Sequence, residues 1–265
     1  MPFVVNRGAR IYWNAMGQGE PVVLIMGLGC SSAMWFRVAP RLARDHRVIL
    51  LDNRGCGLTQ VPSALVHRVS QMADDVAAVL HAAGEPRAHV VGFSMGGMIA
   101  QQFALDHPRR VLSLALLGTH SGNLWATQAA PRVQRLLFAK DGISAEQSLH
   151  AMRPYTYAAA TSDALFGEDA LVRLANQPTL RGYHAQLYAL LGWQAYLLLP
   201  QLRMPTLVMH GLQDALIPPQ NGRVTASRIP GARLVELDGA SHWLTTDQTG
   251  RCVAELRSHT ERHGP

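Results

Sequence analysis

The chain has 265 residues, 48% hydrophobic and 16% charged, enough to bury a substantial core and ordinary for a globular protein. Its net charge of +6 comes from scattered arginines, with Lys140 the only lysine, and no basic stripe or nucleic-acid motif accompanies it, so nucleic acid is set aside as a partner. No apolar run is long enough to span a membrane, which argues against a membrane role, and the first residues lack the charged-then-apolar pattern of a secretory signal.

Residues 3–5 and 10–13 read as a hairpin about a turn at Asn6-Arg7-Gly8. Residues 21–26 form a continuous apolar run ending at Gly27, the pattern of a strand covered on both faces. A helical pattern over 34–44 separates it from a second such run at 47–51, which ends in Asp52-Asn53-Arg54-Gly55. Residues 69–83 are amphipathic, with Val69, Met72, Val76, Val79 and Leu80 on one face. A strand at 88–91, a helix closing at His107-Pro108, and further strands at 111–117, 206–210 and 233–237 follow, then a final helix over roughly 246–259. Alternating strands and helices predict an α/β fold with a mostly parallel central sheet and helices on both faces. Residues 121–200 break the alternation. Their helical pattern and large side chains suggest a cap inserted into a core made of 1–120 and 201–265. Cys30, Cys56 and Cys252 are odd in number, far apart and without metal spacing, so reduced thiols in a cytoplasmic protein are expected.

The period changes from strand to helix at Gly92-Phe93-Ser94-Met95-Gly96, a G-x-S-x-G sequence in strand–turn–helix context. A serine on so tight a turn needs small neighbours two residues away, and the helix start beside it offers free N–H groups to a developing oxyanion. A serine hydroxyl needs a base, and the base an orienting carboxylate. Asp214 lies just past the strand at 206–210 and His242 just past the strand at 233–237, where sites form in open α/β sheets. Asp238 competes with Asp214 but suits a turn with Gly239 better. The loop Met26-Gly27-Leu28-Gly29 can aim the Leu28 N–H at the site, with the Met95 N–H as second donor.

With these residues the chain resembles the α/β-hydrolase superfamily over nearly its whole length. The resemblance rests on the 26–29 loop, Asp52-Asn53-Arg54-Gly55-Cys56-Gly57, the 92–97 turn, His107-Pro108-Arg109-Arg110-Val111, the Asp214 region and Gly239-Ala240-Ser241-His242. The Ser-Met-Gly-Gly-Met run is most similar to a bacterial group that includes enol-lactone hydrolases and polyketide methyl esterases. One departure stands out. The family commonly carries His-Gly before the oxyanion residue, whereas Met26-Gly27 stands here, leaving backbone donors but removing a usual side-chain anchor.

The resemblance implies acyl transfer at an ester or lactone with Ser94 as nucleophile, His242 as base and Asp214 as its orienter. It implies no metal or organic cofactor. An apolar or aromatic small molecule is the expected substrate, with Gly27, Trp35, Phe93, Trp125 and Trp243 as candidate pocket residues. A monomer or homodimer fits. C–C bond hydrolysis, acyl transfer or cyclisation in the same pocket is an alternative, and a ligand-binding or signalling protein on the same fold is another.

Overall fold

The computed structural model describes residues 2–62, 67–138 and 142–264. Eight strands form one sheet: β1 (Phe3–Asn6), β2 (Ala9–Met16), β3 (Glu20–Ile25), β4 (His46–Leu51), β5 (Ala88–Phe93), β6 (Val111–Leu117), β7 (Thr206–Gly211) and β8 (Arg233–Leu237). Their spatial order is β1-β2-β4-β3-β5-β6-β7-β8. The first hairpin and its junction with β4 are antiparallel, and all other pairings are parallel.

Side chains alternate across a pleated strand, so each buried strand feeds two cores. From β3, Val23 and Ile25 enter one core and Val22 and Leu24 the other. Helices lie on both faces. The helices are α1 (Ala39–Leu42), α2 (Val69–Ala82), α3 (Met95–Asp106), α4 (Pro131–Phe138), α5 (Ala145–Thr156), α6 (Asp163–Ala175), α7 (Leu180–Leu191), α8 (Gln220–Arg228), α9 (Leu244–Asp247) and α10 (Thr249–Glu261). The first core is closed by α2 and α3, and the apolar face read for residues 69–83 is buried there. The second is closed by α1 and α10, through Leu42, Cys252 and Leu256.

Two helices differ from the sequence expectation. The pattern at 34–44 splits into a 3-10 turn, Ser32–Trp35, and the short α1. Pro40 sits in the first turn of α1, where its missing N–H is harmless, but it could not donate within a helix running through from Trp35. The final helix is interrupted at Gln248, whose non-helical backbone (φ −134°, ψ 45°) separates α9 from α10.

Between β6 and β7 the chain runs through α4 to α7, with Ser144, Ser162 and Thr179 capping α5, α6 and α7. Buried Asp169 ties α6 down: it accepts from Arg37 Nε at 3.2 Å, Tyr157 Oη at 3.0 Å and Thr246 Oγ1 at 2.6 Å. Asp247 accepts from Thr161 Oγ1 at 2.6 Å and from the Ala158 N–H at 3.1 Å. These bonds hold the α5–α6 corner against the segment that carries His242. No helix among the described residues is long and apolar enough to cross a membrane.

Candidate active site

Three loops at the carboxyl ends of β5, β7 and β8 bring Ser94, Asp214 and His242 together. Ser94 links β5 directly to α3 with φ 55° and ψ −120°, a left-handed conformation that costs an L-residue energy. The surroundings enforce it. The Ser94 N–H donates to Leu117 O at 2.9 Å, and Ser94 O accepts from the Gly97 N–H at 2.9 Å and Thr119 Oγ1 at 2.8 Å. The flanking glycines are required by contact: a Cβ on Gly92 would stand 2.2 Å from Gly96 O, and one on Gly96 2.1 Å from Ile25 O.

The His242 ring lies between the other two residues. Its Nε2 is 3.1 Å from Ser94 Oγ, and its Nδ1 is 2.8 Å from Asp214 Oδ2. Asp214 Oδ1 accepts from the Leu216 and Ile217 N–H groups at 2.9 and 2.8 Å, while His210 Nε2 approaches Oδ2 at 3.4 Å. Burial disfavours the Asp214 carboxylate, but His242 and His210 outweigh it and hold the group down at about 2. It is therefore ionised at neutral pH and favours the Nδ1–H tautomer of His242, leaving an Nε2 lone pair for the serine proton. The two loops are cross-tied by the Gln213 N–H to Ala240 O at 2.9 Å and Ser241 Oγ to Gln213 O at 3.0 Å. Asp238 instead accepts from the N–H of Gly239, in an exposed turn.

Ser94 and His242 face a cavity of about 390 Å³, within the usual range for small-molecule sites. Leu28 and Met95 line it beside Ser94. Met95 is the first residue of α3, so its N–H has no partner within the helix. The Leu28 N–H meets no protein acceptor among the described residues. Gly27, Phe93 and Trp243 line the cavity.

Trp35 and Trp125 do not, and both expectations are corrected. Trp35 is fully buried in the second core, edge-on to Phe93 at 6.4 Å. Trp125 is 53% exposed and stacks on Tyr196 at 4.7 Å. Much of the wall is aliphatic: Met98, Leu137, Met152, Leu187, Leu216 and Ile217. Sequence reading missed the polar residues on it, His120 and Arg173 among them. His120 is pushed down to about 4 by burial and by His210, and its Nδ1 accepts the Gly122 N–H at 3.0 Å, which puts the ring proton on Nε2. Arg173, from α6, is the one arginine or lysine among the described lining residues. Its guanidinium lies over the Trp243 ring at 5.2 Å and makes no ion pair with a carboxylate among the described residues. Only the helical position of Arg173 was visible in the sequence, not the side it faces. Among the described residues no cluster of His, Cys, Asp and Glu is placed to hold a metal ion.

Residues 20–247 match the family model of the alpha/beta hydrolase fold. The chain belongs to that family. It is 33% identical to a pimeloyl-(acyl-carrier protein) methyl ester esterase of Chromobacterium violaceum, over 95% of this chain and 98% of that one. It is 30% identical to a 2-hydroxy-6-oxo-6-phenylhexa-2,4-dienoate hydrolase of Comamonas testosteroni, over 88% and 85%. Among solved structures, the enol-lactonase of Burkholderia xenovorans LB400 shares the fold with a TM-score of 0.85 at 24% identity, covering 98% of this chain and 100% of that one. The protein is an enzyme of the hydrolase class.

Proposed function

We propose that this enzyme cleaves a carboxylic ester or lactone of a small, mainly apolar molecule through an acyl-enzyme on Ser94. The observation that carries the reading is the continuous path from Ser94 Oγ through the His242 ring to Asp214, with steps of 3.1 and 2.8 Å. Ser94 Oγ attacks the carbonyl while His242 Nε2 takes its proton. Asp214 holds the ring and stabilises the imidazolium. The Leu28 and Met95 N–H groups receive the oxyanion, each contributing about 3–4 kcal/mol in the transition state. His242 then protonates the leaving group, and water activated by the same ring releases the acid.

Residues 121–200 act as the cap that selects the substrate. The aliphatic wall supports an apolar acyl or alcohol group. Arg173 supports a finer statement: the substrate carries an anionic group remote from the scissile bond. Burial opposes the Arg173 charge, but surrounding groups including Tyr157, Tyr183 and Asp169 outweigh it and keep the guanidinium charged, and Asp169 spends its hydrogen bonds on Arg37, Tyr157 and Thr246, so a substrate anion can meet the cation in the cavity.

The test is intact-mass spectrometry after incubation with a small fluorophosphonate. One adduct on the wild type, absent from Ser94→Ala and slowed in His242→Ala, is expected. No adduct on folded wild type would remove Ser94 as a nucleophile.

A further inference from the structure

The loop that carries Leu28 starts at Met26, whose side chain is buried in the second core. Two other loops hold it. Asn53 Nδ2 donates to Met26 O at 2.8 Å, and Asp52 Oδ1 accepts from both the N–H and Oγ of Ser32 at 2.7 Å. Between these points the chain makes a tight turn. Gly27 O accepts the Cys30 N–H at 3.3 Å, and Gly29 has φ +67°. That is the geometry of a type II turn, with Leu28 and Gly29 at its centre. The middle peptide of such a turn can flip, and its N–H belongs to Gly29.

That N–H is held by a residue far away in sequence. Gln186 of α7 is fully buried, and its Oε1 accepts the Gly29 N–H at 2.8 Å. Its Nε2 donates to Arg54 O at 2.6 Å. One amide thus bridges the turn at 27–30 and the turn at 53–57, with both of its ends used. The approach of α7 is fixed independently one turn earlier. A Cβ on Gly182 would lie 2.2 Å from Gly55 O, so helix and turn meet backbone to backbone. A Cβ on Gly29 would also strike the Tyr183 ring at 2.8 Å.

We propose that Gln186 is a positioning residue: it locks the Gly27–Cys30 turn and so aims the Leu28 N–H, making the oxyanion site complete only when α7 is seated. The inference rests on the ester chemistry proposed at Ser94. It predicts an effect on the transition state and little on substrate binding, because Gln186 does not line the cavity.

The experiment compares wild type and Gln186→Met for kcat and KM on p-nitrophenyl butyrate. Inhibition by phenylboronic acid, whose tetrahedral adduct on Ser94 presents an oxygen to the two amides, is set against inhibition by butyrate, which forms no adduct. We expect kcat to fall about tenfold, a fraction of the loss from deleting an oxyanion donor outright. KM and the butyrate affinity should stay within about twofold, and boronate affinity should fall with kcat. An unchanged kcat, or a loss shared equally by kcat, KM and both inhibitors, overturns the proposal. Hydrogen exchange at the Gly29 amide of the wild type needs no variant. Slow exchange is expected; exchange as fast as that of an exposed loop amide overturns the proposal, and this arm decides if Gln186→Met does not fold. If wild type neither hydrolyses the ester nor takes a fluorophosphonate, the reading of Ser94 fails first, and slow Gly29 exchange would then mark a structural tie only.

Discussion

Replacing Asp214 by asparagine changes one atom and should nearly abolish turnover. Asp214 Oδ1 accepts two backbone N–H groups, from Leu216 and Ile217. An amide in its place must keep its oxygen there, because its NH2 cannot accept. The NH2 then faces His242 Nδ1, where Oδ2 stands 2.8 Å away in the native site. Nδ1 becomes an acceptor, the ring proton moves to Nε2, and the lone pair that should take the Ser94 proton is gone. A correctly shaped triad with the wrong tautomer loses about 10⁴ in kcat, or about 5.4 kcal/mol of transition-state stabilisation. The assay is steady-state hydrolysis of an activated ester, with Asp238→Asn as the control. KM should change by less than about threefold, since uniform binding is untouched. A loss below tenfold in Asp214→Asn, or an equal loss in Asp238→Asn, would refute the assignment of the orienting acid.

Three further outcomes follow from particular contacts. Arg173→Met should lower kcat/KM for an ester bearing a remote carboxylate by about 10- to 100-fold while sparing its neutral isostere, the range for a charge-assisted hydrogen bond; parallel kinetics on the two esters check it. The Asp214 carboxyl, held down at about 2, lies below the ordinary value of 3.8, so its contribution to stability is present above about pH 4 and fades as pH falls toward 2. Urea unfolding at pH 7, 4 and 3 should therefore show the stability gap between wild type and Asp214→Asn narrowing with acid. Gly96→Ala places a methyl 2.1 Å from Ile25 O, and backbone must move on both sides; a loss of more than about 3 kcal/mol in urea unfolding is expected.

The three residues of the candidate site could be picked out because each stands at a local change of pattern. Ser94 marks the point where strand period gives way to helix period, and Asp214 and His242 each lie just past a strand, the first wholly buried and the second half-buried. The support of the site was not legible. Gln186 meets Gly29 across 157 residues and Asp169 meets Arg37 across 132, and no local period encodes such pairings. Which way a ring faces is likewise not encoded locally, so Trp35 lies in the core and Trp125 on the surface.

The stretch carrying α4 to α7 leaves the sheet at the end of β6 and returns at β7, its immediate neighbour. The Ala195 N–H donates to Ser121 O at 2.8 Å, so the two ends of that stretch are tied to each other, whatever lies between them. Such a segment can lengthen or shorten at a small entropic cost of closing it. On the proposed reading, selectivity lies in that passage and bond cleavage in the frame around it. The passage is tied to the frame at Asp169, at Asp247, at the Gly182–Gly55 contact and through the Gln186 amide. A transplanted passage that lacks a counterpart of Gln186 would inherit a new ligand and a loosened oxyanion turn together.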